Sequence, residues 1–278
     1  MRYVITADCN YRTLSTAELR DKFLIQDLCV PGAATLARTD LDRAICGFVV
    51  PTDKALELPV GKELRAATFC ERREIGIINI GGGTGTVTAD GVTHTIESLD
   101  VLYLGKGSGT AVFASSDAAN PTQFYVVSYP AHATYPTALI KKDQARRLEL
   151  GSVADANKRT IRQYIHALEG GAKSCQLVMG YTELHEGSVW NTFPPHTHDR
   201  RTEVYMYFDI PKNGMVMHFM GTPTETRHLV VREKQIVLSP SWSCHSGAGT
   251  GAYRFVWGMG GENQTFEDMD MANMFTLA

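Results

Sequence analysis

The sequence predicts an all-β protein made of two antiparallel β-barrel modules with a few short helices. Short apolar runs separated by Gly and Asp turns fill residues 33–128 and return over 174–260, a pattern typical of barrels and sandwiches. A charged, proline-containing stretch separates these two regions. Hydrophobic content of 44% in 278 residues is enough to bury a sizeable core. We therefore predict an N-terminal module over 1–140, a connector over 141–173 and a C-terminal module over 174–278.

The N-terminal region predicts a short apolar strand followed by one helix. Ser15 and Glu18 have the S-x-x-E spacing of a capping box, which predicts a helix over residues 17–25. Leu19 and Phe23 lie four residues apart and begin an apolar stripe along one face. We expect this helix to pack against a barrel or a neighbouring subunit.

The strands of both modules follow from apolar runs that end at turn residues. Asp90-Gly91 is the strongest hairpin dipeptide and joins two alternating runs over 85–89 and 92–96. The other strands predicted in the first module cover 45–50, 75–80, 101–104, 111–113 and 123–128. Those predicted in the second module cover 175–179, 204–208, 215–219, 228–232, 236–238 and 253–257.

The second module contains the ligand types of a divalent metal site. His196 and His198 lie two residues apart, so both side chains leave the same face of an extended strand. Glu203 lies at an odd offset from His198, so the chain must turn or bulge within the polar residues 199–202. His245 follows a later proline-containing turn. Three imidazoles and one carboxylate suit one divalent ion per chain; Zn²⁺ is favoured, and Fe²⁺ or Mn²⁺ are alternatives.

An internal alignment indicates that the two modules are related. Residues 70–73 align with 198–201, and residues 100–103 align with 235–238. In this register Thr68 and Cys70 occupy the positions of His196 and His198, and Ile75 stands where Glu203 does. The first module is therefore predicted to have the scaffold without the metal ligands.

Composition excludes several classes of partner. A net charge of −3 and a pI of about 6.3 argue against a surface that binds nucleic acid or anionic membranes. No apolar run approaches the roughly 20 residues needed to span a bilayer, and the N-terminus has no apolar stretch typical of a signal peptide.

The six cysteines are scattered without a C-x-x-C pair, which predicts reduced thiols and a cytoplasmic protein. Cys244, beside His245, is expected to be a core thiol.

Segments around these residues carry a resemblance to a known family. In the second half they cover 187–192, 196–201, 225–228, 239–242, 245–250, 261–264 and 268–270. In the first half they cover 71–76, 79–82, 130–132, 135–136 and 159–161. From about residue 40 to the C-terminus, the sequence resembles the 5-keto-4-deoxyuronate isomerases of the cupin superfamily.

The resemblance implies two jelly-roll cupin barrels and a metal-dependent aldose–ketose isomerisation in pectin and uronate breakdown. The implied reaction converts 5-dehydro-4-deoxy-D-glucuronate to 3-deoxy-D-glycero-2,5-hexodiulosonate, and the implied assembly is a homo-oligomer, possibly a hexamer. A base must move a proton between two neighbouring carbons, and the sequence does not identify it. The catalytic residue is therefore left unknown.

Arg200 and Arg201 lie between the proposed metal ligands. They are either a charged turn or a site for the substrate carboxylate, which a guanidinium binds well.

Three other functions of the protein stay open at this point. They are a 5-deoxyglucuronate isomerase of inositol catabolism, a non-catalytic sugar-binding cupin with a metal, and an iron-dependent dioxygenase, which differs by consuming oxygen.

Overall fold

The computed structural model of the chain describes residues 1–6 and 10–278. In this part it has one α-helix, α1 (Thr16–Phe23), and one 3-10 helix, Leu41–Arg43. The first strands are β1 Arg2–Val4, β2 Leu24–Ile25, β3 Ala33–Thr39, β4 Ile45–Val50, β5 Leu56–Glu57, β6 Arg73–Asn79, β7 Gly85–Ala89, β8 Val92–Ile96, β9 Val101–Leu104, β10 Val112–Ser115, β11 Phe124–Pro130 and β12 Ala138–Ile140. They are followed by β13 Arg146–Leu150, β14 Arg159–Ile165, β15 Val178–Leu184, β16 Trp190–Thr197, β17 Arg201–Phe208, β18 Val216–Thr222, β19 Glu225–Val231, β20 Ile236–Ser239, β21 His245–Gly249, β22 Arg254–Gly261 and β23 Asp270–Met271. The predicted all-β fold class is confirmed.

The chain forms two compact units, each made of three segments. The first unit contains Met1–Val4, Asp27–Arg146 and Tyr164–Val178. The second unit contains Ile5–Gln26, Arg147–Gln163 and Met179–Ala278. The predicted boundaries assumed that each module is one continuous stretch of the chain. The N-terminal helix instead groups with the second unit, because Leu24 and Ile25 pair with β20. The region predicted as a connector contains β13 and β14, which belong to a seven-stranded sheet.

The first unit consists of two sheets around an apolar core. A seven-stranded sheet has the order β1-β3-β4-β11-β6-β9-β12, and a four-stranded sheet has the order β5-β10-β7-β8. Asp90 and Gly91 form the predicted hairpin turn, with Ala89 paired to Val92. Buried residues from both sheets, among them Ile77 and Phe113, pack into one cluster.

The second unit repeats this plan with a seven-stranded and a five-stranded sheet. Their orders are β13-β14-β15-β22-β17-β20-β2 and β19-β18-β21-β16-β23. Strand β17 is fully buried and pairs antiparallel with β20 and β22. Along it, Glu203, Tyr205 and Tyr207 alternate with Val204 and Met206, so the first three share one face.

Strand pairing reproduces the internal alignment predicted from the sequence. In the first unit Ile75 of β6 pairs with Leu104 of β9. In the second unit Glu203 of β17 pairs with Ser239 of β20. Ile75 and Glu203 therefore occupy corresponding positions in two sheets of the same strand plan.

Helix α1 begins with the predicted capping box. The backbone N–H of Ser15 donates to Glu18 Oε2 at 2.8 Å, and the N–H of Glu18 donates to Ser15 Oγ at 3.4 Å. Leu19 and Phe23 are buried, as the apolar stripe predicted. The helix ends at Phe23 instead of continuing to residue 25, because the next two residues pair with strand β20.

The described cysteines are all free thiols. They are Cys29, Cys46, Cys70, Cys175 and Cys244, and Cys9 lies outside the described residues. Burial raises the pKa of Cys244 to about 11, consistent with the expected core thiol. Within residues 1–6 and 10–278, no helix is long and apolar enough to cross a membrane.

Candidate metal centre

The candidate site lies between the two sheets of the second unit. His196 is in β16 and pairs directly with His245, which opens β21 of the same sheet. His198 follows the end of β16, and a turn closed by the Arg201 N–H donating to the His198 carbonyl at 3.0 Å leads into β17. This turn lies in the predicted segment, and it lets Glu203 face the histidines from the opposite sheet. We call His196, His198, Glu203 and His245 together the ligand cluster.

The ligand cluster converges on one point through its side-chain atoms. His196 Nε2 lies 3.1 Å from His198 Nε2 and 3.0 Å from His245 Nε2. Glu203 Oε2 lies 3.3 Å from His198 Nε2 and 3.2 Å from His245 Nε2. These spacings fit neighbouring ligands of one ion, since metal–nitrogen bonds of about 2.1 Å put adjacent ligand atoms about 3.0–3.4 Å apart.

Neighbouring groups orient two of the imidazoles. His198 Nδ1 lies 2.9 Å from the Asp268 carbonyl oxygen and 3.2 Å from Arg201 Nη2. These contacts hold the ring so that its Nε2 faces the centre of the cluster. His245 Nδ1 lies 3.3 Å from Ser239 Oγ, on the ring edge away from the centre. Metal-binding histidines are commonly held in this way by a second hydrogen bond.

The electrostatics of the cluster also fit a cation. Burial lowers the pKa of His196 to about 3 and that of His245 well below 6.5, so both imidazoles are neutral near pH 7. Glu203 Oε2 is buried and has no hydrogen-bond donor among the described residues. A buried carboxylate oxygen without a hydrogen-bond donor is costly unless a positive charge lies beside it. The buried three-histidine group can therefore bind a metal ion.

A cavity of about 200 Å³ opens beside the ligand cluster. His196, His198 and Glu203 form part of its wall. Aromatic and methionine side chains form much of the rest, including Trp257 and Met259. The space is thus a small apolar chamber with metal-binding groups on one side, an arrangement typical of sites for small molecules.

Arg200 and Arg201 are not among the described residues that line this cavity. Arg200 donates to the carboxylates of Asp268 and Asp270, and these bonds raise the pKa of Arg200. Arg201 is buried, and its Nη2 donates to the Asp268 carbonyl at 2.7 Å, beside His198. Their role as carboxylate-binding residues stays a prediction.

Two contributions to the site were not predicted from the sequence. The Asp268 carbonyl holds His198, but a backbone oxygen leaves no residue-type signal in a sequence. Arg159, in β14, lines the cavity from a region predicted as a connector. Its alternation with Ile161, which also lines the cavity, was the available strand signal.

A sequence model of the KduI/IolB family matches residues 36–274. A relative from Lachnoclostridium phytofermentans is 54% identical over 263 residues, covering 95% of this chain and 94% of the relative. Another from Opitutus terrae is 53% identical over 267 residues and covers 96% and 95% of the two chains. Both relatives are named 4-deoxy-L-threo-5-hexosulose-uronate ketol-isomerase.

Among solved structures, an IolB-like protein from Salmonella typhimurium superimposes with a TM-score of 0.70. The alignment covers 87% of this chain and 94% of that protein. Sequence identity is 15%, so this similarity supports the fold and carries no conclusion about the substrate.

Proposed function

The chain belongs to the KduI/IolB family, and we propose that it is a metal-dependent ketol-isomerase of 4-deoxy-L-threo-5-hexosulose uronate. It is an enzyme of the intramolecular oxidoreductase class. The observation that carries the proposal is the convergence of four ligand atoms beside a small apolar cavity. Relatives that share more than half of their residues with this chain bear the isomerase name.

The ligand cluster is proposed to hold one Zn²⁺ per chain. Bound there, the ion would supply Lewis acidity toward an oxygen of the substrate. The Asp268 carbonyl keeps the His198 ring oriented with Nε2 directed inward. Arg201 supports the same carbonyl and so acts as a positioning residue for His198.

The proposed reaction moves a proton and leaves the substrate's composition unchanged. The proton on the hydroxyl-bearing carbon beside the aldehyde is removed and returned to the aldehyde carbon, and the hydroxyl proton passes to the aldehyde oxygen, giving 3-deoxy-D-glycero-2,5-hexodiulosonate. Both electrons of the broken C–H bond stay in the substrate, so no external oxidant or reductant takes part. The apolar wall that includes Trp257 and Met259 limits access of water to this step.

Turnover of the keto-uronate tests the proposal. Wild-type protein should isomerise the pectin-derived keto-uronate without consuming oxygen, and 5-deoxyglucuronate should be a poor substrate. The double variant His196→Ala, His198→Ala should lose both the ion and turnover. His228→Ala, which changes an exposed histidine of the same unit, is the matched control and should keep both. Absence of turnover by metal-loaded wild-type protein, or oxygen uptake during the reaction, would refute the isomerase assignment.

Two further features belong to the proposal. The free, scattered thiols favour a reducing, cytoplasmic compartment. A homo-oligomer, possibly a hexamer, is proposed from the family resemblance, and the mass of the purified protein in solution tests it.

A further inference from the structure

The second-unit cavity contains one arginine among the described residues of its wall. This residue, Arg159, stands in β14, whereas the ligand cluster stands in β16, β17 and β21 or at their ends. Glu203 is the one carboxylate among those wall residues, and it faces the three histidines. The cavity therefore has a carboxylate with metal-binding imidazoles and, separately, a guanidinium.

Arg159 has no acidic partner in the part of the chain that the structure describes. Its Nη1 donates a hydrogen bond to the Asn157 carbonyl oxygen at 2.9 Å. The side chain is partly buried, and desolvation by burial lowers its pKa. A guanidinium carries five N–H donors in a fixed fork. Most of these donors therefore have no acceptor among the described residues.

Two other arginines of the second unit, Arg254 and Arg200, are paired with carboxylates. Arg254 donates to Glu183 at 2.8 Å and to Asp209 at 2.7 Å. Arg200 is held by Asp268 and Asp270. Arg159 lines the cavity without a carboxylate partner among the described residues, so an anion bound in the cavity would neutralise it.

The local fold fixes the guanidinium before any ligand binds. Asn157, whose carbonyl accepts from Arg159, is itself held by Ser152. The Asn157 N–H donates to the Ser152 carbonyl at 3.1 Å, and the Ser152 N–H donates to Asn157 Oδ1 at 3.0 Å. A donor held in this way loses little conformational entropy on binding, which favours specificity.

The arrangement fits the two ends of an open-chain uronate. In the sheet order β14-β15-β22-β17, the strands of Arg159 and Glu203 are three spacings apart, or about 14 Å along the sheet at about 4.8 Å each. This distance is long enough to hold the arginine side chain, a six-carbon acid and the side chains of the ligand cluster in series. We propose that Arg159 binds the substrate carboxylate and thereby directs the carbonyl end toward the ligand cluster. This inference rests on the proposed function for the identity of the substrate.

Two substitutions separate charge from geometry at this position. Arg159→Met keeps the apolar stem and removes the charge, whereas Arg159→Lys keeps the charge and removes the bidentate fork. Loss of a charge-assisted pair should raise KM for the keto-uronate roughly 10- to 100-fold in the Met variant, with a smaller rise in the Lys variant. Metal content and Tm should stay at wild-type values in at least the Lys variant. Arg147→Met is the matched control, since Arg147 is exposed on the neighbouring β13 and pairs with Glu149.

A binding measurement separates this inference from the reaction. Calorimetry with metal-loaded protein should show that D-galacturonate binds and that D-galactose binds at least 10-fold more weakly, with this preference lost in Arg159→Met. Wild-type KM and an unchanged preference for galacturonate in both variants would overturn the role of Arg159 while leaving the isomerase intact. If wild-type protein turns over no keto-uronate yet prefers galacturonate through Arg159, the carboxylate site stands and the proposed reaction fails. Absence of turnover and of any preference in the wild type refutes both.

Discussion

Replacing Glu203 by Gln should have opposite effects on the metal-free and the metal-bound protein. In the metal-free protein at pH 8, the carboxylate oxygen faces imidazole nitrogens of His198 and His245 at 3.2–3.3 Å and has no hydrogen-bond donor among the described residues. A Gln amide can donate to one of those nitrogens. Relief of one buried unsatisfied group should raise the free energy of unfolding by about 1–3 kcal/mol.

The same substitution removes the anionic ligand from the cluster. A free ion at about 100 times its Kd stabilises the wild-type protein by about 2.7 kcal/mol, and the Gln variant should lose most of this increment. Urea unfolding, in chelator and in excess Zn²⁺, measures both effects. Glu225→Gln, at an exposed glutamate of β19, should change neither. A metal-free Glu203→Gln protein that is less stable than wild type, with its zinc increment intact, refutes the ligand role.

Three further predictions concern substitutions of Arg201, Cys70 and His218. Arg201→Met should weaken Zn²⁺ binding about 10- to 100-fold in a chelator competition, because His198 loses its support; wild-type affinity would contradict this. Cys70→Ser should leave the metal content unchanged, because the first unit lacks the other ligands, and a clear loss of metal counts against that account. Burial lowers the pKa of His218 from 6.5 to about 3, so below pH 6.5 the unfolded chain binds a proton that the folded chain does not. For this group alone, lowering the pH from 6.5 to 3 should therefore reduce the free energy of unfolding by about 1.4 kcal/mol per pH unit. Urea unfolding of His218→Phe should show a dependence of this free energy on pH that is shallower by that amount.

Sequence periodicity predicted most of the strands but missed those in the region taken for a connector. Residues 141–147 are largely charged, and Arg146–Leu150 forms the edge strand β13, where polar side chains face solvent. Charged side chains on an edge strand prevent its unpaired backbone groups from pairing with another chain. The composition of such a strand is therefore similar to that of a loop. Arg159 lies in the next strand, β14, which was included in the same predicted connector, although it lines the cavity.

The convergence of the ligand cluster could be predicted from spacing, but the groups that hold it in place could not. The odd offset between His198 and Glu203 required a turn, and the structure has one there. The Asp268 carbonyl and the cavity-lining side chains of Phe266 and Met269 come from an irregular segment after β22. Irregular segments have no period, so only the folded chain shows which groups they bring to the site.

Titration of metal-stripped protein with Zn²⁺, with the initial rate of keto-uronate isomerisation measured at each addition, tests the central claim most directly. The rate should rise in proportion to added ion and reach its plateau at one equivalent per chain, because the described residues contain one three-histidine group. Full activity in stripped protein, or a plateau that needs two equivalents, would contradict a single metal centre in the second unit as the site of the reaction.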